Sequence, residues 1–239
     1  MLGRRNSISG DGPTRREKRS IPSSTSGPFD AGYYRQILYR EAANSQRNRR
    51  RLAEVLRCCS GGRLLEVGCA EGGFLSLAAA HFEVQGVDVS AYAVRAVQER
   101  YGFPARVADI ERERLEGEAC DVIVAFNVLE HLADPAAGIA RLYESLKAGG
   151  LMIGSVPNNG GIVGRPATFI GNRLDRTHCS TFPPAAWRAL FKARGFTSIR
   201  FFGELNLGRN RSLFIKNRAW KHLAFVLMFV CRKPFSASG

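Results

Sequence analysis

From Gly61 onward the chain alternates short, β-rich apolar runs with stretches of helical spacing, a pattern that few folds accept. The runs are Arg63–Val67, Glu83–Val87, Ala105–Ala108, Asp121–Phe126 and Leu151–Val156. Helical segments fit between them at Gly72–His81, Ala91–Tyr101 and Pro135–Lys147, the last expected to close at Ala148-Gly149-Gly150, where glycine can take a left-handed cap. Repeated strand–helix–strand units give parallel neighbours, so the expected class is α/β, a doubly wound, mostly parallel sheet with helices on both faces. After Pro157 the glycine-rich stretch 158–164 interrupts the pattern. A helix over Pro184–Arg194 then leads through Gly195 into Phe196–Phe202, and Phe225–Cys231 reads as the last strand.

At 239 residues and 45% hydrophobic, the chain can bury one sizeable core, and one domain with tails is expected. Residues 1–28 are rich in Ser, Gly, Pro and Arg and poor in large apolar groups, the composition of a disordered basic tail. Residues 29–60 carry helically spaced Ile37, Leu38, Leu52, Val55 and Leu56, and the domain proper is read as 61–239. The N-terminus lacks the apolar run of a secretory signal. Its Arg- and Ser-rich, acid-poor make-up also matches an organelle transit peptide, but Gly10, Gly12, Pro13 and Pro22 interrupt any helix there. Six cysteines form no C-x-x-C pair and no Cys/His zinc spacing, so free thiols, a cytoplasmic location and no metal are expected. The longest unbroken apolar stretch, Leu223–Cys231, is about half of what a membrane helix needs.

Charge is unevenly spread. Residues 1–60 carry 13 Lys and Arg against 5 Asp and Glu, residues 61–187 carry 11 against 15, and residues 188–239 carry 11 against 1. A mildly acidic centre between basic flanks suggests anionic partners met by the ends of the chain, a nucleic acid or a lipid surface; a generally arginine-rich proteome gives the same numbers. In 206–223, Arg209, Arg211, Lys216, Arg218 and Lys221 are mixed with Leu213, Phe214, Ile215 and Trp220. That mixture suits a helix on an anionic membrane surface, and equally an amphipathic helix packed on the sheet.

The chemistry begins at L-L-E-V-G-C-A-E-G-G, where an apolar strand ends in Glu66 and enters a turn kept clear of bulk by Gly68, Ala70 and Gly72. A nucleoside can approach the main chain there, at the carboxyl end of a strand. Dinucleotide enzymes use similar glycines to seat a pyrophosphate. A carboxylate at Glu66 would repel a pyrophosphate and suit a ligand bearing a sulfonium and an ammonium. Asp88, in G-V-D-V-S, follows Gly68 by 20 residues and stands where a second strand tip accepts hydrogen bonds from ribose hydroxyls. Asp109, in V-A-D-I-E, ends the third run. A lone Asp at a strand end is often a helix cap, but three acids stand at successive tips.

The order LLEVGCAEGG, GVDVS, VADIE, DVIVAFNVLEHLADP and LKAGGLMIGSVPN resembles the class I S-adenosylmethionine-dependent methyltransferases, strongly over residues 61–157 and more weakly to residue 200. The resemblance implies a Rossmann-like, seven-stranded sheet whose last strand runs antiparallel. It implies S-adenosyl-L-methionine as cofactor, with Glu66, Gly68 and Gly72 at its methionine end, Asp88 at the ribose, Asp109 and Ile110 at the adenine, and Asn127 facing it. Ala70 stands where many members have a third glycine.

Methyl transfer from a sulfonium needs alignment more than covalent help, and a base only if the acceptor is protonated. His131, in V-L-E-H-L, and His178, in D-R-T-H-C-S-T-F, are the candidates. Enzymes similar to the ubiquinone-biosynthesis O-methyltransferases keep a histidine near the acceptor, in the region where His178 falls. The bland alternatives are a loop brace for His131 and a helix cap for His178. Phe169, Phe182, Trp187 and Gly160–Gly164 are candidate acceptor-lid residues, with core packing the alternative for the aromatics. The expected reaction is methylation, on oxygen, of a hydrophobic, lipid-linked or sugar-containing small molecule. The alternatives are an RNA methyltransferase, disfavoured because Asn127-Val128-Leu129-Glu130 replaces the D/N-P-P-Y/F tetrapeptide of amino-group enzymes, and a silent cofactor-binding scaffold.

Overall fold

The computed structural model describes residues 29, 41–115, 117, 119–160, 177–206, 212–216 and 223–236. The expected tail at 1–28, Ile37, Leu38, residues 161–164, Phe169, Arg209, Arg211, Arg218, Trp220 and Lys221 lie outside them. Helix α1 (Glu41–Leu56) precedes β1 (Arg63–Val67), a one-turn α2 (Leu75–Ala78), β2 (Glu83–Asp88), α3 (Ala91–Tyr101), β3 (Ala105–Val107) and β4 (Cys120–Phe126). A 3-10 turn (Leu129–His131), α4 (Pro135–Glu144), β5 (Leu146–Pro157), α5 (Pro184–Arg194), β6 (Thr197–Asn206), β7 (Ser212–Ile215) and β8 (Val226–Arg232) follow.

The strands form one sheet in the order β3-β2-β1-β4-β5-β8-β6-β7. The first five are mutually parallel, and β8 runs antiparallel to both its neighbours, β5 and β6. The doubly wound class and the antiparallel last strand are therefore present, with eight strands among the described residues where seven were expected. The extra strand is β7, which pairs antiparallel with β6 through Leu205↔Leu213. It occupies part of the segment read as an amphipathic helix: exposed Leu213 next to Phe214, whose ring meets Phe202 edge-on, is the period-two pattern of a half-covered edge strand.

Alternation along β1 and β4 sorts the core into two layers. Leu65, Val67, Ile123 and Ala125 face α4 and α5, where Ile139, Leu142, Trp187 and Phe191 are almost fully buried. Leu64, Val122 and Val124 face Leu52 and Val55 of α1, Leu75 and Ala78 of α2, and Val97 of α3. Each such large apolar side chain contributes about 2 kcal/mol of burial. Ends are set locally. Ser90 caps α3 by accepting from Ala93 N, Asp134 caps α4 by accepting from Ala137 N, and Gly102 and Gly195 close α3 and α5 in the left-handed region.

Two expected elements differ. The helix from Gly72 shrinks to Leu75–Ala78 because i→i+3 bonds, Leu77 N to Phe74 O and His81 N to Ala78 O, tighten its flanks into turns. The helix expected to run to Lys147 stops at Glu144, since Ser145 O already accepts from Cys120 N and Leu146 pairs with Cys120. Gly149, at φ 77°, lies in β5 beside the register shift between Cys120 and Val122, and is not a helix cap.

Candidate functional site

Because β1 is flanked on both sides, its carboxyl end opens at the centre of the sheet. Chain direction changes there through Gly68 (φ 68°), Ala70 (φ 46°) and Gly72 (φ 80°). A side chain on Gly68 would stand 2.5 Å from Val128 Cγ2, so the close passage of this turn against the loop after β4 requires glycine. Ala70 holds a left-handed backbone without that freedom. Its N–H donates to Asp88 Oδ2 at 3.0 Å, while Asp88 Oδ1 accepts from Ser90 N at 2.9 Å, so the acid at the tip of β2 fixes the turn from behind.

The turn borders a solvent-open cleft lined by Arg47, Asn48, Arg51, Glu66, Gly68, Cys69, Ala70, Glu71, Gly73, Phe74, Phe126 and Asn127. Four sequence-predicted residues, Glu66, Gly68, Ala70 and Asn127, thus share one cleft. Asp88 lies immediately behind it through Ala70. Gly72 faces Tyr101 and Val97 instead. Asp109 sits in the turn after β3, accepting from Glu111 N at 2.9 Å and pairing with Arg112 at 3.5 Å, and Ile110 is buried in the α4 and α5 layer.

Three lining residues come from α1, and none was expected from the sequence. Arg47 and Arg51 are four apart, hence on one helix face, with apolar Leu52 and Val55 beside them. That spacing was the available signal. Arg51 is buried, its Nη2 donating to Glu204 Oε2 at 3.0 Å and Ser155 Oγ at 3.3 Å, with the guanidinium 4.5 Å over the Phe126 ring. Ser155 Oγ in turn donates to Asn127 Oδ1 at 2.9 Å. Asn127 N donates to Ser155 O, which helps hold Asn127 at φ 56°.

Burial pushes the Glu66 carboxyl well above the usual carboxylate range, and Arg51 opposes that rise. Its Oε2 has no hydrogen-bond partner, and neither does Arg51 Nε. A buried acceptor and a buried donor without partners are costly in a closed core but suited to a ligand that carries both an ammonium and a carboxylate. The amino-acid end of S-adenosylmethionine carries both, and the lining fits it.

Beyond Asn127 the structure brings both candidate histidines together. Thr177 Oγ1 and His131 Nδ1 lie 2.8 Å apart, and the rings of His131 and His178 meet at 4.8 Å. Glu130 O accepts from Cys179 N and Ser180 N, and Ser180 Oγ donates to Leu132 O, so residues 178–180 are laced to the turn after β4. Glu130, His131 and His178 place one ligand-type atom each within 4.8 Å of one another. Of the expected lid aromatics, Trp187 is fully buried in the core and Phe182 packs on it at 5.2 Å, the core alternative for both. All six cysteines are free thiols, and among the described residues no helix is long and apolar enough to cross a membrane.

A model of the methyltransferase domain matches residues 34–200. Among curated proteins, a probable S-adenosylmethionine-dependent methyltransferase of Mycolicibacterium smegmatis is 34% identical over 102 residues, 42% of this chain and 40% of that one. A ubiquinone biosynthesis O-methyltransferase of Cereibacter sphaeroides is 38% identical over 105 residues, 41% of this chain and 42% of its own. The chain thus spans about two-fifths of the length of these relatives. Among solved structures, a possible histamine N-methyltransferase from Thermotoga maritima superposes with a TM-score of 0.67 at 17% identity, over 82% of this chain and 94% of that one. An N-methyltransferase from Bradyrhizobium japonicum in complex with S-adenosyl-L-homocysteine gives 0.60 at 18% identity, over 80% and 88%. At those identities the structures speak for the fold. The family model covers more than half of the chain, and with the glycine turn, the acids and the cleft in place, the chain belongs to the methyltransferase domain family, whose cofactor is S-adenosylmethionine.

Proposed function

We propose that the chain methylates a hydroxyl oxygen of a small acceptor, hydrophobic, lipid-linked or sugar-containing, from S-adenosylmethionine. The observation that carries this reading is the His131–His178 pair, 4.8 Å between rings, with His131 in the 3-10 turn that follows the cleft residue Asn127 in the chain. An alcohol or phenol must lose its proton as its oxygen attacks the methyl, and an imidazole held by Thr177 is a suitable base. In this reading Glu66 meets the cofactor ammonium, Arg47 and Arg51 its carboxylate, Asp88 the ribose, and Asp109 with Ile110 the adenine. When bound, the cofactor supplies an activated methyl; the chain orients it and excludes water. The basic flanks of the sequence suit a lipid-linked acceptor met at an anionic surface.

A second reading rests on the 4.8 Å cluster of Glu130, His131 and His178. Two imidazoles and a carboxylate are the donor set of catalytic zinc sites that leave a fourth position open, and a cation there would acidify the acceptor hydroxyl directly.

Incubation with methyl-labelled cofactor and fractionated extract tests the function. Label is expected in a small-molecule or lipid pool, on oxygen by mass spectrometry. His178→Ala should lower transfer by about a hundredfold without weakening S-adenosylhomocysteine binding. Label in RNA alone, or none in any pool, overturns the reading, and sensitivity to a chelator favours the cation over the base.

A further inference from the structure

The described core holds a buried carboxylate, Glu204, that the cofactor reading leaves unused. Arg51 is buried on the same face of the sheet as two buried carboxylates, Glu66 at the end of β1 and Glu204 on β6. It lines the cleft together with Glu66, yet it pairs with Glu204: Nη2 lies 3.0 Å from Glu204 Oε2, and Arg47 Nε lies 3.6 Å from the other oxygen. Glu204 is fully buried, far inside what a surface ion pair would be, and Glu66 Oε2 is left without a partner.

A buried guanidinium seeks the nearest carboxylate, because its charge is costly to leave unbalanced in a low dielectric. Were Arg51 to pair with Glu66, it would cancel the negative charge that the cofactor's ammonium needs and would fill the methionine end of the cleft. We propose that Glu204 is a positioning residue for cofactor binding: it holds Arg51 on the β6 side of the cleft and so keeps the Glu66 carboxylate open to the cofactor's ammonium. Ser155 shares the task, since its hydroxyl accepts from Arg51 while donating to Asn127. The anchoring strand, β6, is separated from β1 in the sheet by β4, β5 and β8, and among the described residues none of the cleft lining comes from it. Its effect on the cofactor passes through Arg51.

This inference rests on the cofactor reading, and calorimetry with two ligands separates them. S-adenosylhomocysteine carries the amino-acid end, and 5′-methylthioadenosine lacks it. Wild-type binding of S-adenosylhomocysteine tests the cofactor reading alone. Glu204→Gln should then weaken S-adenosylhomocysteine at least about tenfold and leave 5′-methylthioadenosine unchanged. Glu66→Gln should weaken S-adenosylhomocysteine in the wild-type background and add little in the Glu204→Gln background, because Arg51 has already neutralised that carboxylate. Equal weakening of both ligands, full additivity, or no change overturns the proposal. Should Glu204→Gln fail to fold, the two-ligand comparison on Glu204→Asp decides: selective loss of S-adenosylhomocysteine supports it, and equal loss or none overturns it.

Discussion

At the scale of single residues, the cleft stores its function in groups that are poorly satisfied without a ligand. Glu66 is the clearest. Its carboxyl is raised by burial, so the folded protein binds a proton there more tightly than the unfolded chain does. The sign follows: its contribution to stability is fully present below the ordinary carboxylate pKa and is lost as pH rises through the raised value. Glu66→Gln should flatten that part of the stability–pH curve in thermal melts. An ammonium placed against Glu66 favours the carboxylate, so wild-type binding of S-adenosylhomocysteine, through its amino-acid end, should release protons in calorimetry across buffers of different ionisation heat, and the Gln variant should not. The opposite sign holds at Asp121. Burial alone would raise it, but the Lys147 ammonium at 2.8 Å and the Arg63 N–H hold it below the usual range, so its contribution is lost as pH falls.

At the scale of elements, β4, β5 and β8 fit together around a residue that cannot grow. A side chain at Gly154 would run into Ala125 O of β4 and stand 2.5 Å from the Phe229 ring of β8. Gly154→Ala should therefore cost about 3 kcal/mol in denaturant unfolding and weaken S-adenosylhomocysteine binding as well, since Ser155 follows it. How much was legible in the sequence also divides by element. The alternating runs gave β1, β2, β4 and β8 to within a residue or so, and Pro184–Arg194 with Gly195 gave α5, because those signals are local. The bulge at Gly149 and the strand β7 were not legible, since each depends on a partner strand distant in sequence. In the same way the motif residues Glu66, Gly68, Ala70 and Asn127 could be read as neighbours, whereas Arg51, Ser155 and Glu204 could not. Their contacts span 104 and 153 positions, and nothing in the local pattern ties a helix arginine to a strand glutamate.

At the scale of the whole molecule, α1 counts as a wall of the cleft rather than a leader to it. Leu52 and Val55 enter the same core layer as β1 and β4, and Arg47, Asn48 and Arg51 face the ligand side. A chain starting at residue 29 is expected to bind S-adenosylhomocysteine as the full chain does, and one starting at residue 61 to lose that binding in calorimetry.

The position of β8 also sets an order of events during synthesis. β6 and β7 leave the ribosome before β8, yet β8 lies between them and β5. Until residues 226–232 emerge, β6, which carries Glu204, lacks the strand that joins it to β5, and the anchor of Arg51 is not in its place in the sheet. Domains are built as their segments appear, at about 5–20 residues per second. A nascent chain halted before Val226 would hold the glycine turn and all the cleft residues named above while Glu204 still lacked the strand that seats β6, so the anchor of Arg51 is placed after the cleft it serves.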